Sequence, residues 1–238
     1  MDEKTISKLK KTKHLSEFAE LLVQSGLPDG NEKSGFIKET LSRYEAYKES
    51  LPKTEDSPAF SPGQEILICG NIGLSGSVFL MDFYKEKLLK TLSSSYIKAA
   101  EELRKKALLY PSLDLFTDDA IAVYPVCERG LFREIYNLGK DSGLGFKINY
   151  FDVPISRATV EFCEIFDMDP WALLSGGCIL IVTSCGRKTE QILKDNGFDA
   201  AVIGYITKEK TKLITYRDTE GGINRPSPDE ILKLLQNS

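Results

Sequence analysis

From residue 61 onward, short apolar runs of strand length alternate with segments of helical period. The runs are EILICG (65–70), AIAVYPV (120–126), GFKINYF (145–151) and CILIVT (178–183). Runs of four to eight residues next to glycines are typical of buried or half-buried β-strands. The helical segments between them rule out an all-β architecture, because strands and helices alternate along the chain.

A hairpin is predicted near the C-terminus. Residues 199–207 and 211–217 both have strand character, and Lys208-Glu209-Lys210 lies between them. A short connection of this kind joins antiparallel strands, whereas strands joined by helices can be parallel. The sequence therefore predicts an α+β domain with a mixed sheet.

The first 60 residues have a different character. The spacing of Leu15, Phe18 and Leu22 predicts an amphipathic helix over 5–25, and a second helix is predicted over 33–50. KTEDSPAFSPGQ (53–64) is rich in proline, serine and charge, which is typical of a linker. We therefore expect a helical N-terminal extension over 1–60 and a main domain over 61–238.

Helix boundaries are legible at three places in the main domain. Ser156 is suited to cap a helix, and Ser227-Pro228-Asp229-Glu230 has the pattern of a capping box with proline at the first helical position. A long helical region over 77–109 contains Ser93-Ser94-Ser95, where we expect a break.

Composition and charge exclude several classes of function. A net charge of −4 without a basic face argues against nucleic-acid binding. No segment approaches the roughly 20 apolar residues of a membrane span, and the N-terminus lacks the apolar core of a signal peptide, so we expect a cytoplasmic protein. His14 is the single histidine, and the five cysteines lack metal-ligand spacing, so we expect no metal site.

A glycine loop follows the first strand and offers two interpretations. GNIGLSG (70–76) precedes a helix, and glycines let backbone N–H groups approach a phosphate at a helix N-terminus. The spacing is neither that of a Walker loop nor that of a dinucleotide fingerprint. The alternative is a tight turn with close helix–strand packing. The candidate ligand-binding residues here are Gly70, Asn71, Gly73, Ser75, Gly76 and Ser77.

Other candidates carry weaker signals. Ser175-Gly176-Gly177 lies between a short helix and a strand, where we expect a structural turn, because a helix C-terminus repels anions. Arg225 could meet a phosphate, with a surface ion pair as the alternative. Cys185 precedes Gly186-Arg187-Lys188, where positive charge could lower its pKa, and an inert loop cysteine is the alternative.

The order of these motifs resembles the C-terminal domain of the aminoimidazole ribonucleotide (AIR) synthetase superfamily, and the hydrogenase-maturation carbamoyl dehydratases most of all. The similar segments are PGQEILICGNIGLSGSVFL (62–80), RGLFREIYNLGKDSGLGFKINYFDVPISRATVEFCEIFDMDPWALLSGGCILIVTS (129–184) and GFDAAVIGYI (197–206). The resemblance implies a layered α/β/α domain with a mixed sheet. It also adds Arg129 and Gly130 to the candidate ligand-binding residues, because they fall on the family's Asp-x-Thr-x-Gly-Gly-Leu signature.

The sequence departs from the family where the family's chemistry resides. Pro125, Cys127 and Arg129 replace the signature's acid, its threonine and one of its glycines. The maturation proteins' GDHG becomes Gly73-Leu74-Ser75-Gly76, and their C-terminal cysteine has no counterpart before Ser238. The family's N-terminal domain, which holds magnesium and ATP, has no match in residues 1–60.

These departures favour a stand-alone module that binds a protein partner or a small ligand, such as a phosphorylated metabolite. We expect it to have no catalytic residues and to need no cofactor. The alternative is one half of a split ATP-dependent enzyme of the AIR synthetase or hydrogenase-maturation type, with ATP and magnesium bound by a separate partner protein, or a hydrogenase expression/formation protein. If the chain is an enzyme, the resemblance implies an ATP-dependent ligase, kinase or dehydratase. Self-association into a homodimer is a further expectation.

Overall fold

Seven strands form one mixed sheet in a computed structural model of the chain. The residues described are 8, 11–24, 30–52, 58–116 and 118–236. The strands are β1 (Glu65–Cys69), β2 (Ala120–Val126), β3 (Gly145–Asn149), β4 (Cys178–Thr183), β5 (Ala200–Thr207), β6 (Lys212–Tyr216) and β7 (Thr219–Gly222). Their order across the sheet is β2-β4-β1-β5-β3-β6-β7, and only β3 and β6 pair in parallel. The predicted α+β fold with a mixed sheet is confirmed.

Helices pack on both faces of this sheet and beyond one end of it. They are α1 (Leu15–Gln24), α2 (Gly30–Ser50), α3 (Leu74–Leu88), α4 (Ser94–Ala100), α5 (Leu103–Lys106), α6 (Gly130–Asp141), α7 (Arg157–Phe166), α8 (Gly186–Asp195) and α9 (Glu230–Gln236). Single 3₁₀ turns occupy Leu113–Leu115, Tyr150–Asp152 and Pro170–Ala172. None of the described helices combines the length and apolar character that crossing a membrane requires.

The alternation of side chains along the central strands explains the layers. Ile66 and Ile68 of β1 point to the face that α6 covers, where they join a cluster with Leu131 and Ile135. Leu67 and Cys69 point to the other face and pack with Leu193 of α8, among others. Successive residues of a strand face opposite sides of the sheet, so a strand covered on both sides is apolar throughout. The uninterrupted run CILIVT of β4 is buried at every position for this reason.

A third hydrophobic cluster joins the N-terminal helices to the rest of the structure. Phe18 of α1 contacts Phe79 of α3 with ring centroids 6.1 Å apart, and both rings are buried. Ile37 of α2 and Phe162 of α7 belong to the same cluster. The division of the chain near residue 61 stays a prediction, and the helices before that point share their apolar faces with α3.

The predicted hairpin over 199–217 is wrong. β3 lies between β5 and β6 and pairs with both, and the hairpin of this region is β6–β7. The connection from β5 to β6 crosses the start of β3 at Gly145, where a Cβ atom would overlap the backbone oxygens of Glu209 and Thr211. A short connection between two strands reads as a hairpin in sequence, whether or not a third strand lies between them.

The structure corrects or confirms several helix boundaries. The predicted helix over 5–25 is interrupted, because residues 11–14 are not helical and α1 begins at Leu15. Lys8 is helical, and residues 1–7 and 9–10 lie outside the described residues. Ser156 caps α7, with its Oγ accepting the N–H of Thr159 at 3.0 Å, as predicted. The expected break at Ser93 is also present, since Ser93 caps α4. The last helix begins later than predicted, because Asp229 rather than Ser227 accepts the N–H of Ile231.

Replacing Gly145 with alanine should destabilise the protein, because the added methyl group meets rigid backbone rather than a flexible side chain. We expect the free energy of unfolding to fall by about 1–3 kcal/mol, the range of overpacked sites, in urea denaturation. Gly221→Ala is the matched control, because nothing lies within 4 Å of its Cβ position, and it should stay within about 0.5 kcal/mol of the parent. Equal effects of the two substitutions would contradict the crossing at β3.

Candidate functional site

The glycine loop between β1 and α3 is almost wholly internal, with residues 72–77 buried. Gly73 has a φ of 72° and forms the N-cap of α3. Four N–H groups of the loop donate to protein acceptors: Gly70 to the carbonyl of Asp199 (2.7 Å), Ile72 to that of Pro154 (3.1 Å), Gly73 to Ser175 Oγ (2.8 Å) and Gly76 to the carbonyl of Leu174 (2.9 Å). A bound anion would have to displace these bonds. The geometry therefore favours the tight-turn interpretation, and phosphate binding at this loop stays a prediction.

The polar side chains of the same loop are also engaged within the protein. Ser75 Oγ accepts the N–H of Gly176 at 3.0 Å, and Ser77 Oγ donates to the carbonyl of Gly73 at 2.9 Å. Asn71, at the edge of the loop, donates its amide to Asp199 at 2.6 Å. These bonds fix the loop against its neighbours, because each buried polar group has found a partner.

The pair Gly176-Gly177 is a packing element. A Cβ atom at Gly176 would overlap the Thr40 side chain of α2, and one at Gly177 would lie 2.7 Å from the backbone oxygen of Lys106. Gly177 also has a φ of 73°, a conformation that favours glycine. The structural interpretation of this pair, which the sequence favoured, agrees with the geometry.

The loop before α6, where the family signature falls, is held by the N-terminal segment. The Glu128 carboxylate accepts the N–H of Leu15 at 2.9 Å, and its other oxygen lies 3.4 Å from His14 Nδ1. A carboxylate at the first turn of α1 is favourable, because it meets unpaired N–H groups and the positive end of the helix dipole. Glu128 is thus the N-terminal anchor of α1, a role that the sequence analysis did not predict.

Arg129 and Gly130, the next two residues, have unusual backbone conformations that the C-terminal segment supports. Arg129 has a φ of 68°, and its N–H donates to Asp229 Oδ2 at 2.7 Å. The other oxygen of Asp229 accepts the N–H of Ile231 at 3.0 Å, so one buried carboxylate joins the start of α6 to the start of α9. The sequence signal for Asp229 was its place within the predicted capping box, Ser227-Pro228-Asp229-Glu230.

Two arginines that are distant in sequence line one cavity of about 270 Å³, which we name the arginine pocket. Its walls include Arg129, Phe132, Ala172, Gly222, Arg225 and Ser227. Neither arginine forms an ion pair with a described residue, and Arg129 Nε is buried without a hydrogen-bond partner among the described residues. Guanidinium groups prefer carboxylate and phosphate partners, so this cavity is chemically suited to an anion.

Leu173 separates the eight candidate residues into two groups. Its side chain fills the space left by the missing Cβ of Gly76, and its backbone oxygen lies 2.7 Å from the Cβ position of Gly130. Gly70, Asn71, Gly73, Ser75, Gly76 and Ser77 lie on one side, and Arg129 and Gly130 lie on the other. The structure therefore does not assemble the eight residues into one site, and it brings Arg225 to Arg129 instead.

The remaining candidates show no assembled chemistry. Burial raises the pKa of the Cys69 and Cys163 thiols to about 12. Cys185 is exposed at the start of α8, and its reactivity stays a prediction. Asp118-Asp119 resembles a metal-binding acid pair in sequence, with a solvated strand edge as the alternative, and Asp119 pairs with Lys188 at 2.7 Å. Within the described ranges no group of three or more histidine, cysteine, aspartate or glutamate side chains is placed to hold a metal ion.

The buried carboxyl of Asp229 should make stability depend on pH. Burial raises its pKa to about 7, against about 4 in an unfolded chain, although two backbone N–H groups partly offset this. Its contribution to stability is therefore present in full below about pH 4 and is lost as the pH rises through 7. Compared with Asp229→Asn, the parent should lose about 3 kcal/mol of unfolding free energy between about pH 5 and pH 8 in urea denaturation.

The control for this measurement is Asp218→Asn, which alters an exposed carboxyl and should leave the pH dependence of the parent unchanged. Parallel stability curves for the parent and Asp229→Asn would show that this carboxyl does not titrate in the expected range.

Known proteins share this architecture. Residues 61–216 match the family described as AIR synthase related protein, C-terminal domain. A hydrogenase expression/formation protein of Methanocaldococcus jannaschii is 24% identical over 159 residues, which are 64% of this chain and 44% of that protein. The family resemblance inferred from the motifs is confirmed.

Solved structures give the same result at the level of fold. E. coli HypE matches with a TM-score of 0.59 and 17% identity, over 75% of this chain and 55% of that one. A chain of a HypE–HypF complex matches with a TM-score of 0.55 and 22% identity, over 72% of this chain and 55% of that one. A thiamine-monophosphate kinase of Stenotrophomonas maltophilia matches with a TM-score of 0.52 and 18% identity, over 66% of this chain and 52% of that one. The chain thus spans about half the length of these relatives. Because the family match covers more than half of the chain, the protein belongs to the AIR synthase related family, whose C-terminal domain residues 61–216 match.

Proposed function

We propose that this chain is a binding module that has no ATPase activity of its own and holds a small anionic ligand, such as a phosphorylated metabolite, in the arginine pocket. The observation that carries the proposal is the convergence of Arg129 and Arg225 on one cavity without acidic partners among the described residues. Two uncompensated guanidinium groups repel each other, and an anion between them relieves that repulsion.

The position of the pocket adds to its preference for negative charge. Arg129 immediately precedes α6, a helix of 12 residues whose N-terminal N–H groups carry partial positive charge. Ser227 and Arg225 lie on the segment that leads to α9, and Asp229 ties that segment to Arg129. Arg129 thus lies at the start of α6 and Arg225 on the segment before α9, and the buried Asp229 carboxylate joins these two parts of the fold.

The signature loop supports the absence of phosphoryl-transfer chemistry. Such chemistry depends on metal ions and charged groups placed around the transferred phosphate. Pro125 replaces the signature's acid inside β2, where it pairs with Ile179, and Cys127 is buried. The one carboxylate that remains in the loop belongs to Glu128, and it is bonded to the first turn of α1.

One half of a split enzyme is the second candidate. It is supported by the length of the relatives, of which the chain spans about half, and by the matched complex of HypE with HypF, which makes a protein partner reasonable. In this alternative a separate protein would bind ATP and magnesium. The apolar residues Leu15, Phe18 and Leu22 of α1 are buried within this chain, which leaves that face unavailable to a partner and favours the first candidate.

Substitutions in the arginine pocket should weaken anion binding without unfolding the protein. Arg129→Gly removes one guanidinium and suits a left-handed position, so its unfolding free energy should stay within about 1 kcal/mol of the parent. In calorimetric titrations with inorganic phosphate and a sugar phosphate, Arg129→Gly and Arg225→Gln should each weaken binding at least about tenfold. Arg187→Gln on α8 is the control and should bind as the parent does. Binding that survives both pocket substitutions would place the ligand elsewhere.

The purified chain should show no ATP hydrolysis with magnesium beyond that of a protein-free blank, because its signature loop lacks a free carboxylate. Phosphate release by the chain alone would overturn the proposal, particularly if the activity followed the protein through gel filtration. Phosphate release that requires a second, co-purifying protein would support the split enzyme instead.

A further inference from the structure

A second cavity borders the 3₁₀ turn Pro170–Ala172 at Pro170 and Trp171, whereas the arginine pocket borders it at Ala172. The two cavities differ in chemistry. It has a volume of about 450 Å³, and its walls include Tyr150, Phe151, Val153, Cys163, Met168 and Trp171. We name it the aromatic groove. Val153, Cys163, Met168 and Trp171 are buried beneath it, whereas Phe151 is 52% exposed at its rim. A cavity of this size with an apolar floor is typical of sites for small molecules.

The rings of the groove hold one another in place. Tyr150 stacks on Trp171 with centroids 4.8 Å apart and planes within 6° of parallel. Trp171 also packs against Phe132 at 5.3 Å, and Tyr150 meets the edge of Phe151 at 5.5 Å. Rings packed in this way lose little side-chain freedom when a ligand binds, so the groove is preformed rather than induced.

One end of the groove is negatively charged. Glu164 and Asp167 line it, and neither carboxylate forms an ion pair with a described residue. Both lie at the C-terminal end of α7, where the helix dipole is negative and where the last turn contains no basic residue. Two cations lie near the groove: Lys87, whose Nζ is 4.2 Å from the Phe166 ring centroid, and Arg217, whose Cζ is 5.7 Å from the Phe151 ring centroid. Neither forms an ion pair with Glu164 or Asp167.

This placement of charge is unfavourable for the protein alone. Carboxylates near a helix C-terminus repel the carbonyl dipoles of the last turn, and basic residues are the usual occupants of such positions. A positive group at this end of the groove would interact favourably with two carboxylates and with the helix dipole together. A neutral or negative ligand would gain from the apolar floor alone.

We propose that the aromatic groove binds a small organic cation, an amine or quaternary ammonium compound whose apolar body lies on the Trp171 side and whose charged end lies between Glu164 and Asp167. This site is separate from the arginine pocket and takes ligands of the opposite charge, so it does not depend on the function proposed above.

The single tryptophan of the chain allows binding to be observed at the groove itself, because Trp171 forms part of its wall. Three probes of nearly equal size separate charge from apolar contact: 2-phenylethylammonium, 2-phenylethanol and phenylacetate. In titrations of the full chain followed by tryptophan fluorescence, the ammonium probe should give a saturable change. Its affinity should exceed that of the alcohol by about tenfold, since two exposed carboxylates contribute modestly each, and phenylacetate should bind more weakly than the alcohol.

Variants with conserved shape test the assignment of the charged end. The double variant Glu164→Gln and Asp167→Asn removes both charges, and asparagine tolerates the left-handed φ of 54° at position 167. It should lower the affinity for the ammonium probe about tenfold and leave that for the alcohol unchanged. Asp118→Asn is the control, an exposed carboxyl that does not line the groove, and it should change neither affinity.

A further substitution tests the apolar wall. Phe151→Ala removes a half-exposed ring from the rim and should weaken the ammonium and alcohol probes alike, while the urea midpoint stays near that of the parent. Equal affinities of the three probes, an unaltered ammonium affinity in the double variant, or no saturable fluorescence change would overturn the proposal. Each of these outcomes leaves the anion titrations at the arginine pocket unaffected, so the two sites succeed or fail separately.

Discussion

The chain from Trp171 to Gly177 passes between the first turns of two helices, and it has room there only because those turns begin with glycines. Leu173 occupies the space that a side chain at Gly76 would need, and its backbone lies against Gly130. Ser175 then accepts the N–H of Gly73 and donates its own to the carbonyl of Cys127. This close approach sets the distance between α3 and α6. The segment then leads into β4, which lies between β1 and β2 in the sheet and pairs with both. The arginine pocket and the aromatic groove lie on either side of the same segment.

Hydrogen bonds to carboxylate groups link the signature loop to the N-terminal helices and to α9. In this chain, Glu128 satisfies an N–H of α1, and Asp229 satisfies N–H groups of Arg129 and Ile231. Both carboxylates therefore accept hydrogen bonds from backbone N–H groups. The motif resemblance implies that this loop supplies charged side chains for chemistry in other family members. In this chain it anchors α1 and α9. The guanidinium groups of Arg129 and Arg225 line the cavity beside it.

Local patterns predicted the parts of the fold that depend on local physics. The apolar run of β4 follows from burial on both faces of the sheet. The cap at Ser156 and the break at Ser93 follow from a serine oxygen that accepts a free backbone N–H group three residues later. Neighbouring residues determine each of these features. The hairpin failed because β3 enters between β5 and β6 from a distant part of the chain, and the only trace in sequence is Gly145. Arg129 and Arg225 were each noticed, yet their convergence depends on the packing of α6 and α9, which no local pattern contains. The groove was missed for the same reason, since its walls come from three separate segments.

The strand order also governs when the sheet can form during synthesis. β1, β2 and β3 do not pair with one another, and all their partners belong to β4, β5 and β6. When synthesis has reached residue 177, β1, β2 and β3 have been made, but none of the strands that pair with them has been made. Such nascent segments are prone to aggregation, and pairing across long stretches of chain is slow. β4, β5 and β6 all lie within residues 178–216, so β1, β2 and β3 can complete their ladders only after that part of the chain has been made.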